Sequence, residues 1–227
     1  MAVFSTFLNV LPDPNYKIGE AGESNASGSA GAGFASLKVS SKAPIMRDRT
    51  NGGRLVTRSA AYHMWEVDIS YNPMTRQEFD PVYTFLLEKQ GSLKPFYVSL
   101  PNYRGGATNT TCLAASAGSP TVIITANNCA PGDMFHIEDS SDSSHTKAYK
   151  VTRVETTTTY NSDLGSPGTG KERIHITPPL QKSVSSGATL NFATPLIRVI
   201  QSNDTQEYSL GTNNLYNFSL KLEEACS

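Results

Sequence analysis

A chain of 227 residues can form one large domain or two small ones, long enough to bury a real core. Charged residues make up 17%, below the roughly 25% typical of globular domains; Thr, Ser, Asn and Gly fill the gap, which favours β-structure with polar loops over helices. A net charge of −1 gives no bulk electrostatic reason to expect nucleic-acid binding, and no apolar run approaches the roughly 20 residues needed to span a bilayer.

Met1–Leu11 is mildly apolar, without a positive n-region before it or a cleavage site after it, so synthesis and folding in the cytoplasm are expected. A first strand is expected at Val3–Val10. Pro12 to Gly33, ending in SNASGSAGAG, holds little apolar surface and reads as a flexible loop. Alternation resumes at Phe34–Ser40, where Ala35, Leu37 and Val39 fall in phase. The segment that follows, with a turn signal at Asn51-Gly52-Gly53, suits a long hairpin arm with one strand near Ala35–Ser41 and the other near Arg54–Ser59.

The clearest strand is Tyr62–Tyr71: Trp65, Val67, Ile69 and Tyr71 point one way, and Glu66, Asp68 and Ser70 the other. A helix follows, with Thr75 and Glu78 at capping-box spacing and Phe79, Val82, Tyr83 and Leu86 on one stripe. Pro81 either kinks this helix at a cost of about 3 kcal/mol, or marks a later start with Asp80 as N-cap; Gly91 closes it. Pro95–Leu100 is a second strand. Leu215–Leu222 alternates in the same way and is expected to pair with Trp65–Tyr71, which closes a first domain across a long stretch of chain.

That stretch has its own pattern. Strands are expected at Val122–Thr125, Met134–Ile137, around Tyr149, Val151 and Val154, at Ile174–Ile176, Gly187–Phe192 and Leu196–Ile200. Ala130–Asp133 is a turn, and 156–170 a loop or mobile hairpin tip. Short strands at regular spacing imply a small barrel inserted within the first domain: 106–203 inside 1–105 and 204–227.

Catalytic and ligand chemistry is sparse. Cys112, Cys129 and Cys226 are too few for a disulfide scaffold and read as free thiols. His136 and His175 alternate with apolar residues, which places them on exposed strand faces; they would make a metal pair only on adjacent strands. Glu138, Asp139 and Asp142 form an acidic cluster that lacks EF-hand spacing. There is no G-x-S-x-G elbow, and Gly165–Lys171 fails the P-loop spacing. No catalytic residue, cofactor or metal is assigned. Tyr103, Tyr149 and Tyr160 offer an alternative, a stacking surface for sugars in a carbohydrate- or receptor-binding module.

Charge is distributed unevenly. Lys38, Lys42, Arg47, Arg49, Arg54 and Arg58 share 21 residues with a lone acid, Asp48, whereas Asp204–Ser227 carries four acids and one lysine. These are either solvated faces or unlike patches that meet between subunits and set their register, which makes the six basic residues the candidate subunit interface.

The Trp-bearing strand, the helix ending in Gly and the strand opening on Pro95-Phe96 resemble the tail proteins of long-tailed phages. The order PGDMFHI, AYKVTRV, RIHITPPL and GATL is similar to the small barrel of phage distal tail and minor tail proteins, and YNFSLKLEEAC resembles their C-terminal strand. The likeness covers about residues 54–224. It implies a mainly β fold, a tail-tube-like β-sandwich with one flanking helix plus an inserted small β-barrel. It further implies a virion protein without enzymatic activity, assembled in the host cytoplasm. The expected partners are further copies in a six-fold ring at the end of the tail tube, the tail tube protein, and hub, baseplate or receptor-binding parts. Genome DNA would pass through the lumen without specific binding, and no membrane is involved.

Overall fold

Period-two alternation builds the central strands of the first sheet, and one amphipathic run builds the helix. The structure, a computed structural model, describes residues 9–13, 16–18, 24–30, 33–60, 62–99 and 107–225. Its first elements are β1 (Tyr16–Ile18), β2 (Ser24–Ala30), β3 (Phe34–Lys42), β4 (Ile45–Arg49), β5 (Leu55–Ser59), β6 (Met64–Tyr71), α1 (Arg76–Lys89) and β7 (Phe96–Ser99). Then come β8 (Thr110–Thr111), β9 (Thr121–Thr125), β10 (Met134–Glu138), β11 (Ala148–Glu155), β12 (Lys171–Thr177) and β13 (Thr189–Asn191). The last are β14 (Leu196–Gln201), β15 (Tyr208–Leu210) and β16 (Tyr216–Glu224). The fold is mainly β, with strand at 45% and helix at 9% of the described residues. Two compact units are present: one ends at Tyr97 and resumes over Val199–Ala225, and the other covers Val98–Arg198.

In the first unit the sheet runs β3-β6-β16-β14-β7, with β15 on the end of β16, and it curves into a half-barrel. Its centre is the antiparallel pair β6–β16, in register from Ser219 opposite Ser70 to Glu223 opposite Glu66. Trp65, Val67, Ile69 and Tyr71 are buried and meet Phe218, Leu220 and Leu222 from β16, as the alternation predicts. The helix packs on this face through Phe79, whose ring stacks on Tyr216 with centroids 4.5 Å apart and meets Phe218 edge-on at 5.9 Å.

The helix starts at Arg76, so Pro81 lies inside it. The missing proline N–H would have met the carbonyl of Gln77, an exposed residue whose backbone water can satisfy. Glu78 reaches back to the N-terminus, its Oε2 accepting from the Thr75 N–H at 3.0 Å and the Thr75 hydroxyl at 2.9 Å. At the other end Gln90 and Gly91 both take left-handed backbone, with φ of 56° and 66°. A Cβ on Gly91 would lie 3.0 Å from Asp204 Oδ1 and 3.2 Å from its Cα, so conformation and space both call for glycine.

Three expectations are corrected. The arm is not one hairpin from Ala35–Ser41 to Arg54–Ser59: β3 pairs with β6, and Leu55–Ser59 pairs with Ile45–Arg49 around the Asn51–Gly53 turn. Alternation shows that a strand forms but not which partner it takes. The stretch 12–33 is not all loop, since β1 and β2 pair antiparallel, Ile18 opposite Ser24. A ladder is made by backbone groups, so a polar, small-residue composition argues against a core face and not against pairing. Leu196–Ile200, counted with the barrel, lies in β14, which pairs with β16 in the first sheet. The expected strand Val3–Val10 lies outside the described residues apart from Asn9 and Val10, and Val10 bridges to Tyr97. Leu100, Tyr103 and Cys226 also lie outside them.

The second unit is a nearly closed barrel of order β8-β13-β10-β11-β12-β9. The short strand β8, which has no alternation to reveal it, takes the place expected of Leu196–Ile200. The circle is completed just after β8, where Cys112 bridges to Ile124 and the Leu113 N–H donates to the Ile123 carbonyl at 2.9 Å. Phe135, Tyr149 and Phe192 form the aromatic centre of its core, with ring centroids 5.7 and 4.9 Å apart around Phe135.

Gly91→Ala is expected to destabilise the first unit by about 1–3 kcal/mol. A lowered urea midpoint with an unchanged m-value checks this.

Candidate interaction surfaces

The six basic residues fall into two groups. Lys38 and Lys42 stand on β3 within the sheet, on its wet face. Lys38 is opposite Asp68, with Nζ 4.0 Å from the carboxylate, and Lys221 flanks the same aspartate from β16. Two residues along, Glu66 is directly opposite Glu223, an unfavourable like-charge pair. Lys42 relieves it through an ion pair to Glu66. Its ammonium is held above its ordinary pKa first by the Glu66 hydrogen bond, against some desolvation, with Glu223 adding to the rise. These lysines therefore have work inside one chain.

Arg47, Arg49, Arg54 and Arg58 belong to the two-stranded ribbon β4–β5, on which every strand residue is exposed. Pairing places Ile45 with Ser59, Arg47 with Thr57 and Arg49 with Leu55 on one face, and Met46 with Arg58 and Asp48 with Val56 on the other. None of the four arginines is in an ion pair among the described residues. Ile45, Met46, Leu55 and Val56 are between 49% and 67% exposed, so both faces carry uncovered apolar side chains. A lone two-stranded ribbon has only marginal stability in water, and this one also exposes its apolar residues. The charge run marked the arginines; the apolar residues escaped notice because nothing local says that a strand has no sheet to cover it.

Most of the remaining chemistry of the described residues is turned inward. His136 is buried rather than exposed: Nδ1 accepts from the Leu196 N–H at 3.0 Å and Nε2 lies 3.0 Å from Glu138. Burial lowers its pKa. His175 stands on β12, and β11 lies between it and β10, so the two histidines are not on adjacent strands. Among the described residues no group of three or more His, Cys, Asp or Glu is placed to hold a metal ion. The carboxylate of Asp139 is taken up by its own loop, Oδ2 accepting from the Ser185 N–H at 2.7 Å and Oδ1 from the Ser141 N–H and hydroxyl at 2.9 and 2.7 Å. Those bonds, Ser185 first, hold its pKa down at about 2. Asp142 is spent in the same way on Ser144.

Tyr149 is fully buried, its hydroxyl 2.8 Å from His145 Nε2 and accepting from the Gln181 N–H at 3.0 Å, so it offers no stacking surface for a sugar. Tyr160 is exposed. Cys112 and Cys129 are free, and burial pushes their thiols up to about 11 and about 12.

The 156–170 loop is more built than a plain hairpin tip. A bulge at Val151/Arg153 sets Arg153 opposite His175 and Glu155 opposite Arg173. The buried Arg173 pairs with buried Glu155 at 2.9 Å and donates to the carbonyls of Leu164 and Gly165, each at 3.0 Å, so it ties the loop to the barrel. Arg153 and His175 reach the other carboxylate oxygen of Glu155 at 2.6 and 2.9 Å.

The described chain is thus a curved sheet with a flanking helix and a small barrel, whose uncommitted features are exposed surfaces. Known proteins show the same likeness. The family model for distal tail protein pb9, A domain, N-terminal, matches residues 23–103. The distal tail protein pb9 of Escherichia phage T5 is 27% identical over 180 residues, covering 71% of this chain and 86% of that protein. Both findings support a phage distal tail protein, with a structural role in the virion tail.

Arg173→Met is expected to cost about 3 kcal/mol, because it leaves Glu155 buried beside weaker partners and frees two loop carbonyls. Chemical unfolding measures the loss, and faster amide exchange over 156–170 marks its place. Asp139 titrates lower in the folded chain than in the unfolded one, so its stabilising effect is present above the unfolded carboxylate range and is lost as pH falls from about 4 towards about 2. Unfolding of wild type and Asp139→Asn across that window should show the two stabilities converging.

Proposed function

We propose that this chain forms a ring at the distal end of a phage tail tube and joins the tube to hub, baseplate or receptor-binding parts. The observation that carries the reading is the exposed arginine ribbon Ile45–Ser59, a surface that no described residue covers, in a protein similar to a distal tail protein. In this reading the domain expected at 1–105 and 204–227, which also gains β14, is the tail-tube-like, ring-building one, and the rest of 106–203 is an inserted barrel that faces neighbouring tail proteins.

The ring matches the six-fold tube, is assembled from folded chains in the host cytoplasm, and lets DNA pass without specific contacts. The near-neutral net charge of −1 supports passage without specific binding. Its work is done by surfaces and not by a catalytic site. Subunit contacts draw on the ribbon arginines Arg47, Arg49, Arg54 and Arg58. Lys38 and Lys42, already engaged by Asp68 and Glu66, act mainly within the sheet.

Electron microscopy of purified protein and of virions tests this. Rings in solution and density for the chain at the tail tip are expected; monomers throughout, with no place in the particle, would sink it.

A further inference from the structure

The first unit carries a second exposed surface, at the far end of the sheet from the ribbon. The ribbon leaves β3 after Lys42, which is opposite Met64, and returns into β6 at Met64. β15 pairs with Tyr216–Phe218 of β16, beyond the Tyr71 end of β6, where Ser219 is opposite Ser70 and Tyr216 bridges to Met74. The two features are therefore separated by the length of β6, about 25 Å at roughly 3.3 Å per residue.

β15 is an edge strand whose three residues are all exposed, Tyr208 at 49% and Leu210 at 54% among them. Glu207 precedes it, exposed and in no ion pair among the described residues. An open groove of about 400 Å³ runs beside it, walled by Glu207, Tyr208, Ser209, Asn217, Phe218 and Ser219. The ribbon is basic with apolar residues between its arginines, and this edge is apolar with an acid beside it. Each is what the other lacks. Both are exposed, so one chain does not bring its own pair together.

The geometry points to a head-to-tail contact between copies of this chain, in which the ribbon of one copy lies along the β15 edge of the next. Arg47 and Arg49 meet the carboxylate of Glu207, and Ile45 and Leu55, on the same face of the ribbon, cover Tyr208 and Leu210. This rests on the ring reading above and names the surfaces that would build it. A contact between different patches at opposite ends of a subunit is heterologous, and such contacts close into rings when the rotation between copies allows. Charge sets the register, and the apolar residues supply the area.

Charge exchange tests it. Full-length wild type is expected to sediment as an assembly of more than two copies. The variants Arg47→Glu with Arg49→Glu, and Glu207→Arg, are each expected to weaken association about tenfold or more, with unchanged melting temperatures, since all three side chains are exposed. Combining them restores association towards the wild-type value.

The same three genes are then tried in complementation of phage lacking the chain. Particles should be lost with either single set and recovered with the combination. Unaltered association with both arginines reversed, no recovery on combination, or a closed two-fold dimer each overturns the contact. A chain found at the tail tip by microscopy whose association ignores the reversal defeats this contact and leaves the ring reading standing; absence from the tip defeats the ring reading itself.

Discussion

The pairing of β6 with β16 is the constraint on which the rest of the first unit depends. It joins residues distant in sequence: the Trp65 N–H donates to the carboxylate of Glu224, 159 residues away, at 3.0 Å. The cost of closing so long a loop grows only with the logarithm of its length, about 0.6 kcal/mol per doubling, so a well-registered apolar face can carry it. Leu220 opposite Ile69 and Leu222 opposite Val67 supply that face. With β16 in place, β14 has an edge to join, β15 has an end to pair with, and the aromatic side of α1 has Tyr216 and Phe218 to pack on.

Topology makes this closure tolerant of a whole folded unit in between. β7 and β14, the strands by which the chain leaves and re-enters the first sheet, are neighbours in it. The barrel between them keeps its own core and its own closure at Cys112 and Ile124. Several of its buried polar groups are satisfied locally, Asp139 by Ser141 and Ser185, Glu155 by Arg173, and the Tyr149 hydroxyl by His145 and Gln181. Buried polar groups of this kind cost stability unless paired, so these pairs serve the barrel's own structure.

The ribbon obeys neither rule. Among the described residues it has no third strand and no core, and its apolar residues are exposed on both faces. A segment that breaks local rules while the rest of the chain keeps them is where function is expected, and in the reading proposed above that function is contact with a neighbour. Its arginines suit the role, since a guanidinium is weakly hydrated and forms bidentate pairs with carboxylates.

Alternation by itself determined β6, β7 and β16, because burial of one face leaves a period-two trace in each strand alone; it also located β10 and β12, although His136 and Arg173 are buried there beside the apolar residues. Gly91 likewise announced the end of the helix, since caps are local chemistry, whereas its start was open between Thr75 and Asp80 until the structure set it at Arg76. The basic run from Lys38 to Arg58 was equally plain. Tertiary structure decided the rest, because partner choice is a non-local matter. It sent β3 to β6 and left β4 and β5 with only each other, so that one run of charge became two lysines bound into a sheet and four arginines on an open ribbon. It put β14 in the first sheet and gave its expected place to β8, two residues too short to show any period. It also turned His136 inward, which the alternation of its neighbours had placed on an exposed face, and buried Tyr149, which the sugar-stacking alternative needed at the surface.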